Sequence, residues 1–256
     1  MIAVKELTKR FGAQTAVDAL SFDIPAGQIV GFLGPNGAGK STTLRMLTGM
    51  LQPTSGSANV CGFDLVTQTI DVKRNVGFVP DSGAVFESLT GLEYLTMIAA
   101  LYGIPEDAAV ERIRQFITFF DLGFDTLTDK LLGAYSKGMR RKVVITSALL
   151  HNPPVVFFDE PLDGLDANAA AGFKALIQML AQEGKAIVYS SHILDVVERV
   201  CDRIIIIDKG RILVDGAPDE LVRTHNTPTL ERLFIQLTGG EEIERRAEDF
   251  AKTFRR

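Results

Sequence analysis

Short apolar runs bounded by turn residues recur in the first and last thirds of the chain, while the middle third carries helical spacing. Ile2–Val4, Ala16–Ile24 and Gln28–Leu33 read as strands, with Pro25-Ala26-Gly27 as a turn, and the first two suggest antiparallel sheet ahead of a core. Thr42–Leu47 opens a helix, Pro53-Thr54-Ser55-Gly56 turns into Ala58–Gly62, and Asn75–Pro80 is a further strand ending at Asp81. From Ser88 to Leu150 the pattern predicts a helical lobe, with helices over Gly91–Leu101 and Glu106–Phe120, the second opened by Pro105. Phe116, Phe119 and Phe120, at helical spacing, are expected in that lobe's core. Sheet returns at Pro154–Glu160, followed by a helix over Ala167–Glu183, a strand over Ala186–Ser190 and a hairpin over Arg203–Val214 turning at Lys209-Gly210. Strand, helix and strand at this spacing imply right-handed crossovers in a parallel sheet, with the ligand crevice at the strands' carboxyl ends. The tail, Glu241–Arg256, sets Ile243, Ala247, Phe250 and Phe254 on one helical face.

Composition narrows the classes. With 256 residues and 46% hydrophobic positions, the chain can build one large α/β domain or two small ones. A net charge of −5 with both signs spread along the chain makes nucleic acid an unexpected partner. Cys61 and Cys201 lie far apart without metal-ligand spacing, and Met1–Glu6 has no apolar signal core, so a cytosolic protein with reduced thiols is expected. No apolar stretch approaches the ~20 residues that span a bilayer. Any membrane role must then pass through another chain.

The chemistry centres on Gly34-Pro35-Asn36-Gly37-Ala38-Gly39-Lys40-Ser41-Thr42, a G-x-x-x-x-G-K-[ST] loop between a strand and a helix. Glycines at such a turn let backbone N–H groups close around phosphate oxygens, and the helix dipole adds attraction. Lys40 is placed to reach terminal phosphates, the Ser41 hydroxyl a Mg²⁺ ion, and Thr42 the inner phosphates. Phe11, on a polar loop, suits stacking on an adenine or ordinary packing. The apolar strand before Asp159-Glu160 delivers two carboxylates at its tip: Asp159 for the metal through water, Glu160 for polarising an attacking water. Without the upstream loop the two acids would read equally as a solvated strand end. His192, also at a strand end, is placed to contact a γ-phosphate or to be a structural histidine.

Together these residues resemble the ATP-binding cassette (ABC) ATPases over almost the whole chain. The decisive stretch is Tyr135-Ser136-Lys137-Gly138-Met139-Arg140-Arg141-Lys142, which looks like that family's signature loop, set before a helix over Val143–Leu150. Ser136 and the N–H groups of Lys137 and Gly138 at a helix start make a second anion cradle; the plainer reading is a surface helix cap. The resemblance implies an α/β phosphate-loop NTPase of the ABC ATPase fold: a mixed sheet, an antiparallel β subdomain and an inserted helical subdomain over about 87–150. It implies an ATPase domain over 1–222 and a helical extension over 223–256. It further implies ATP and Mg²⁺ as cofactors, with a head-to-tail dimer placing each ATP between one chain's phosphate loop and the other's signature loop. Phe11 then matches the adenine-stacking aromatic, Leu162–Asp166 the loop that signals across the dimer, and His192 the switch histidine.

Three departures stand out. Asp81 replaces the usual Gln, the position of a further Mg²⁺ contact; Lys137 replaces a common glycine and Met139 a Gln in the signature; Asp163 stands where Ser is frequent. Ser-Lys-Gly-Met, the acid at 81 and the ending Thr229–Gly239 look most like ABC-2 type export ATPases. That implies a peripheral protein on the cytoplasmic membrane face with a separate integral membrane permease, whose helix enters a groove near Asp81 and Ser82–Leu89. A soluble ABC ATPase, a non-hydrolysing regulatory module and an import ATPase are the rival readings.

Overall fold

The computed structural model describes residues 1–191, 193–240 and Phe250. The helical face expected over the tail lies outside the described residues except for Phe250, which is exposed. In chain order, β1 (Ile2–Phe11) and β2 (Gln14–Ile24) form a hairpin, and β3 (Ile29–Leu33) runs into α1 (Lys40–Leu47). Next come β4 (Ser55–Val60), β5 (Phe63–Asp64), α2 (Thr69–Arg74) and β6 (Val76–Val79). The helical stretch comprises α3 (Gly91–Leu101), α4 (Glu106–Phe119), α5 (Phe124–Asp129) and α6 (Lys137–Leu149). After it run β7 (Val155–Asp159), α7 (Ala167–Gln182), β8 (Ala186–Ser190), α8 (Leu194–Val200), β9 (Arg203–Asp208), β10 (Arg211–Gly216), α9 (Pro218–Thr224) and α10 (Leu230–Thr238).

Two sheets result. One is antiparallel in the order β2-β1-β4-β5; the other runs β10-β9-β3-β8-β7-β6, parallel except for the edge strand β10. The continuous apolar runs of β3, β7, β8 and β9 follow from burial on both faces. Alternate residues serve different cores. Val30, Phe32, Val155, Phe157, Val188, Ile205 and Ile207 meet α1 and the antiparallel sheet. Their neighbours Ile29, Leu33, Val156, Phe158, Ile187, Tyr189, Ile204 and Ile206 meet α6, α7, α8 and α10. Each such fully buried side chain contributes roughly 1.5–3 kcal/mol of transfer free energy.

A third core lies among α3, α4, α5 and the side of α6 that carries Val143. Because Val144, Ile145, Ala148 and Leu149 of α6 sit in the second core, this one helix joins the helical lobe to the sheet. It starts at Lys137, not Val143: Ser136 caps it by accepting the Met139 N–H at 3.2 Å. The aromatics of α4 also differ from expectation. Phe120 is buried in the second core, Phe116 packs against that same core, and Phe119 is exposed. The end of α4 abuts the α7 layer, so these rings face away from their own lobe. Phe11 is the last residue of β1, not a loop residue.

Where the helical lobe meets the sheet, a concavity of about 300 Å³ is lined by Met50, Val76, Phe78, Tyr94, Tyr102 and His151, among others. It opens at the start of β6 and along α3, and neither Asp81 nor Ser82–Leu89 is part of its lining. His151 stacks on Tyr102 with centroids 3.7 Å apart and 11° between planes, and its Nε2 lies 3.2 Å from the Val76 carbonyl. Burial lowers its pKa from 6.5 to about 4. A neutral imidazole favoured by folding contributes stability that is complete above pH 6.5 and is lost as the pH falls toward 4. His151→Phe keeps the stack without the titration. Its melting temperature should decline less between pH 6.5 and 4 than the parent's, by the equivalent of about 1–2 kcal/mol after allowing for partial exposure.

Candidate functional site

The strand-to-helix loop is shaped by contacts that only its own residues permit. A Cβ on Gly34 would lie 2.3 Å from the Ile207 carbonyl, and one on Gly39 2.5 Å from that of Ala16, where φ is also +108°. Ala38 is buried, donates to the Pro35 carbonyl at 3.1 Å and accepts from Gly210 N–H at 2.9 Å. Gly34, Pro35 and Ala38 thus fix the loop, while Asn36, Gly37, Gly39, Lys40, Ser41 and Thr42 line a pocket of about 330 Å³. Phe11, Gln14 and Ala16 of the first hairpin close its other side. No side chain caps α1, so no side chain occupies the N–H groups of its first turn, the arrangement that suits an anion. Phe11 is 51% exposed, which rules out core packing, and Lys9 Nζ lies 5.2 Å from its ring centroid.

Lys40 Nζ donates to the Gly34 carbonyl at 2.6 Å and the Pro35 carbonyl at 3.1 Å. Burial lowers its pKa, against the opposing pull of Glu160 and Asp159. The structure therefore brings the loop lysine into the field of both strand-tip carboxylates. Asp159 is buried at the end of β7 beside Ser190 of β8, and Glu160 follows with φ of 51° and its N–H on the Ser190 carbonyl at 3.0 Å. His192 lies outside the described residues. Ser136 and Gly138 do not line the Phe11 pocket; they form the start of α6 elsewhere on the surface.

Arg141, given no role by the sequence, joins these parts. It is 2% exposed and donates to the carbonyls of Pro80 and Asp81, each at 2.7 Å. Burial lowers its pKa, opposed by the charges of Asp163, Asp81, Asp159 and Glu160. A signal was present: Lys137, Arg140, Arg141 and Lys142 crowd cations into the start of a helix, where the dipole disfavours them. Such a run calls for acceptors elsewhere. Arg141→Met should cost about 2–4 kcal/mol, since two carbonyls lose their donors, read as a drop in chemical-denaturation stability. Faster amide exchange over residues 80–89 should accompany it.

Similarity to known proteins extends over most of the chain. The family described as ABC transporter matches residues 17–163. The ABC transporter ATP-binding protein NatA of Bacillus subtilis (strain 168) is 36% identical over 92% of this chain and 97% of that protein. The bacitracin transport ATP-binding protein BcrA of Bacillus licheniformis is 35% identical over 90% of this chain and 74% of its own length. A solved ATP-binding subunit of an ABC transporter superposes with a TM-score of 0.87 at 31% identity, covering 93% of this chain and 99% of that one. No helix among the described residues is long and apolar enough to cross a membrane. The chain belongs to the ABC transporter family, as one of its ATP-binding proteins.

Proposed function

We propose that this chain hydrolyses ATP for an export-type ABC transporter, working as a head-to-tail pair on the cytoplasmic membrane face with a separate membrane-spanning subunit. One observation carries the reading: the Phe11 hairpin and the uncapped start of α1 share one pocket, with Lys40 in the field of Asp159 and Glu160. Export is favoured over import by relatives whose names state it, among them a Nod factor export ATP-binding protein of Ralstonia nicotianae, 37% identical over 88% of this chain and 69% of that protein. In this reading residues 1–222 are the ATPase unit, about 87–150 its helical lobe and 223–256 an extension.

Phe11 stacks on the adenine, and the backbone of Gly34–Gly39, Lys40, Ser41 and Thr42 holds the phosphates. Among the described residues no three His, Cys, Asp or Glu side chains gather into a metal cage. Asp159 is nonetheless a buried carboxylate, next to a Ser190 hydroxyl that is buried without a hydrogen-bond partner. That donor set suits Mg²⁺ shared between protein and triphosphate, held by Ser41 and Asp159 with Asp81 as a further contact. Bound there, Mg²⁺ would neutralise charge on the phosphates. Glu160, with His192, orients and deprotonates the attacking water, and Lys40 meets charge developing on the γ-phosphate. Ser136 and Gly138 cradle the γ-phosphate of ATP held by the other chain, consistent with their separation from this chain's own pocket. The concavity along α3 receives a helix of the membrane subunit.

A site shared by two chains makes turnover concentration-dependent. Phosphate release per chain should fall on about a hundredfold dilution through the dimer dissociation range. A per-chain rate unchanged by dilution, with the protein monomeric throughout, would remove the shared site.

A further inference from the structure

Two of the departures from the family pattern, Lys137 and Asp163, prove to be partners. Lys137 Nζ is in direct contact with Asp163 Oδ2. Around that ion pair the first turn of α6 lies flat against the turn that follows Glu160. A Cβ on Gly138 would meet the Gly164 carbonyl at 2.3 Å, and one on Gly164 would meet Lys137 Cγ at 2.9 Å. Farther along α6, Lys142 lies 3.6 Å from Asp166, which caps α7, and donates to the Phe120 carbonyl at 2.8 Å. On the other side Asp163 N–H donates to the Glu160 carbonyl at 3.2 Å. From the Lys137 ammonium to the Glu160 backbone there is only Asp163 between.

We propose that Lys137 is a positioning residue for hydrolysis: through Asp163 it sets the turn that holds Glu160, linking this chain's signature loop to its own catalytic carboxylate. The proposal rests on the ATP-hydrolysing, head-to-tail reading above. An anion docking at Ser136 and the Lys137 and Gly138 N–H groups bears directly on the residue that restrains Asp163. The ATP held by one partner is thereby sensed at the Glu160 of the chain whose signature loop it touches. Both side chains of the pair are well exposed, at 65% and 39%, so the pair adds little to stability. Its effect is on geometry, where a shift of about 1 Å can cost ~10²-fold in rate.

The test is a charge-exchange series, Lys137→Asp, Asp163→Lys, the Lys137→Asp/Asp163→Lys double variant and Lys137→Arg. Each is assayed for kcat, for Kd of ATP with the isolated chain and for melting temperature. Each single reversal should lower kcat roughly tenfold, with the Kd and the melting temperature unchanged. The double variant and Lys137→Arg should return kcat to within about twofold of the parent. A double variant no faster than Lys137→Asp would overturn the proposal, because Lys137 would then act on the nucleotide itself. So would single reversals that leave kcat intact, or that move melting temperature and kcat together. Absence of turnover in the unsubstituted chain strikes the ATP reading, whereas normal parental turnover without rescue strikes this proposal alone.

Discussion

Glu160→Gln is expected to lower steady-state phosphate release by roughly 10²–10⁴-fold, the range of a lost general base, while leaving ATP binding intact. The backbone there is already constrained: Glu160 sits at φ 51°, its N–H on the Ser190 carbonyl and its own carbonyl under the Asp163 N–H. Gln is close in size and keeps those backbone bonds, so the loss is chemical and not structural. Removing a negative charge beside the triphosphate also favours the bound state. The variant should accumulate as an ATP-dependent dimer, seen as a doubled mass in size-exclusion chromatography with light scattering when Mg²⁺ and ATP are present. Full turnover in the purified variant would displace Glu160 from its catalytic place.

Lys40→Ala should be as severe and should fail earlier. Its ammonium, held by the Gly34 and Pro35 carbonyls, lies with the Arg141 guanidinium in the field of Asp159 and Glu160. Without it, two carboxylates face the incoming phosphates with less compensation. Loss of a preorganised charged donor at the developing charge costs on the order of 10²–10³-fold in kcat, and here ATP affinity falls as well. Fluorescent-nucleotide titration alongside phosphate release separates this outcome from that of Glu160→Gln. Weakened binding with no ATP-dependent dimer is expected for Lys40→Ala; retained binding and a trapped dimer for Glu160→Gln. Unimpaired binding by Lys40→Ala would contradict the loop's role.

The parts of this site that are local in sequence were readable there. The phosphate loop lies between β3 and α1 as its spacing predicted, and the four apolar residues before Asp159 are β7. A parallel strand covered on both faces leaves a continuous apolar run, and a glycine-rich turn at a strand-to-helix junction leaves a second local mark. What sequence left unread depends on which surface an element meets. The same helical spacing that placed Phe116, Phe119 and Phe120 together gave no indication that they face the sheet's helices and solvent. Arg141 drew no role from the sequence, because its acceptors at Pro80 and Asp81 lie some sixty positions away. Lys137 and Asp163 stood out singly as departures, yet only the backbone contact of Gly138 with Gly164 brings them together. Likewise α10 sends Leu230 and Leu233 into the second core, against partners far away in the chain.

Closure of two such chains on ATP is expected to work on a membrane partner. Its most direct test is affinity isolation of the tagged protein from detergent-solubilised native membranes, with mass spectrometry and quantitation of what is retained. A polytopic integral membrane protein should be retained in stoichiometric amount, reduced by charged substitutions at Tyr94 and Tyr102 in the concavity along α3. Recovery of the protein from the soluble fraction, with no membrane protein retained under any nucleotide condition, would contradict it and point to a cytosolic machine driven by the same closure.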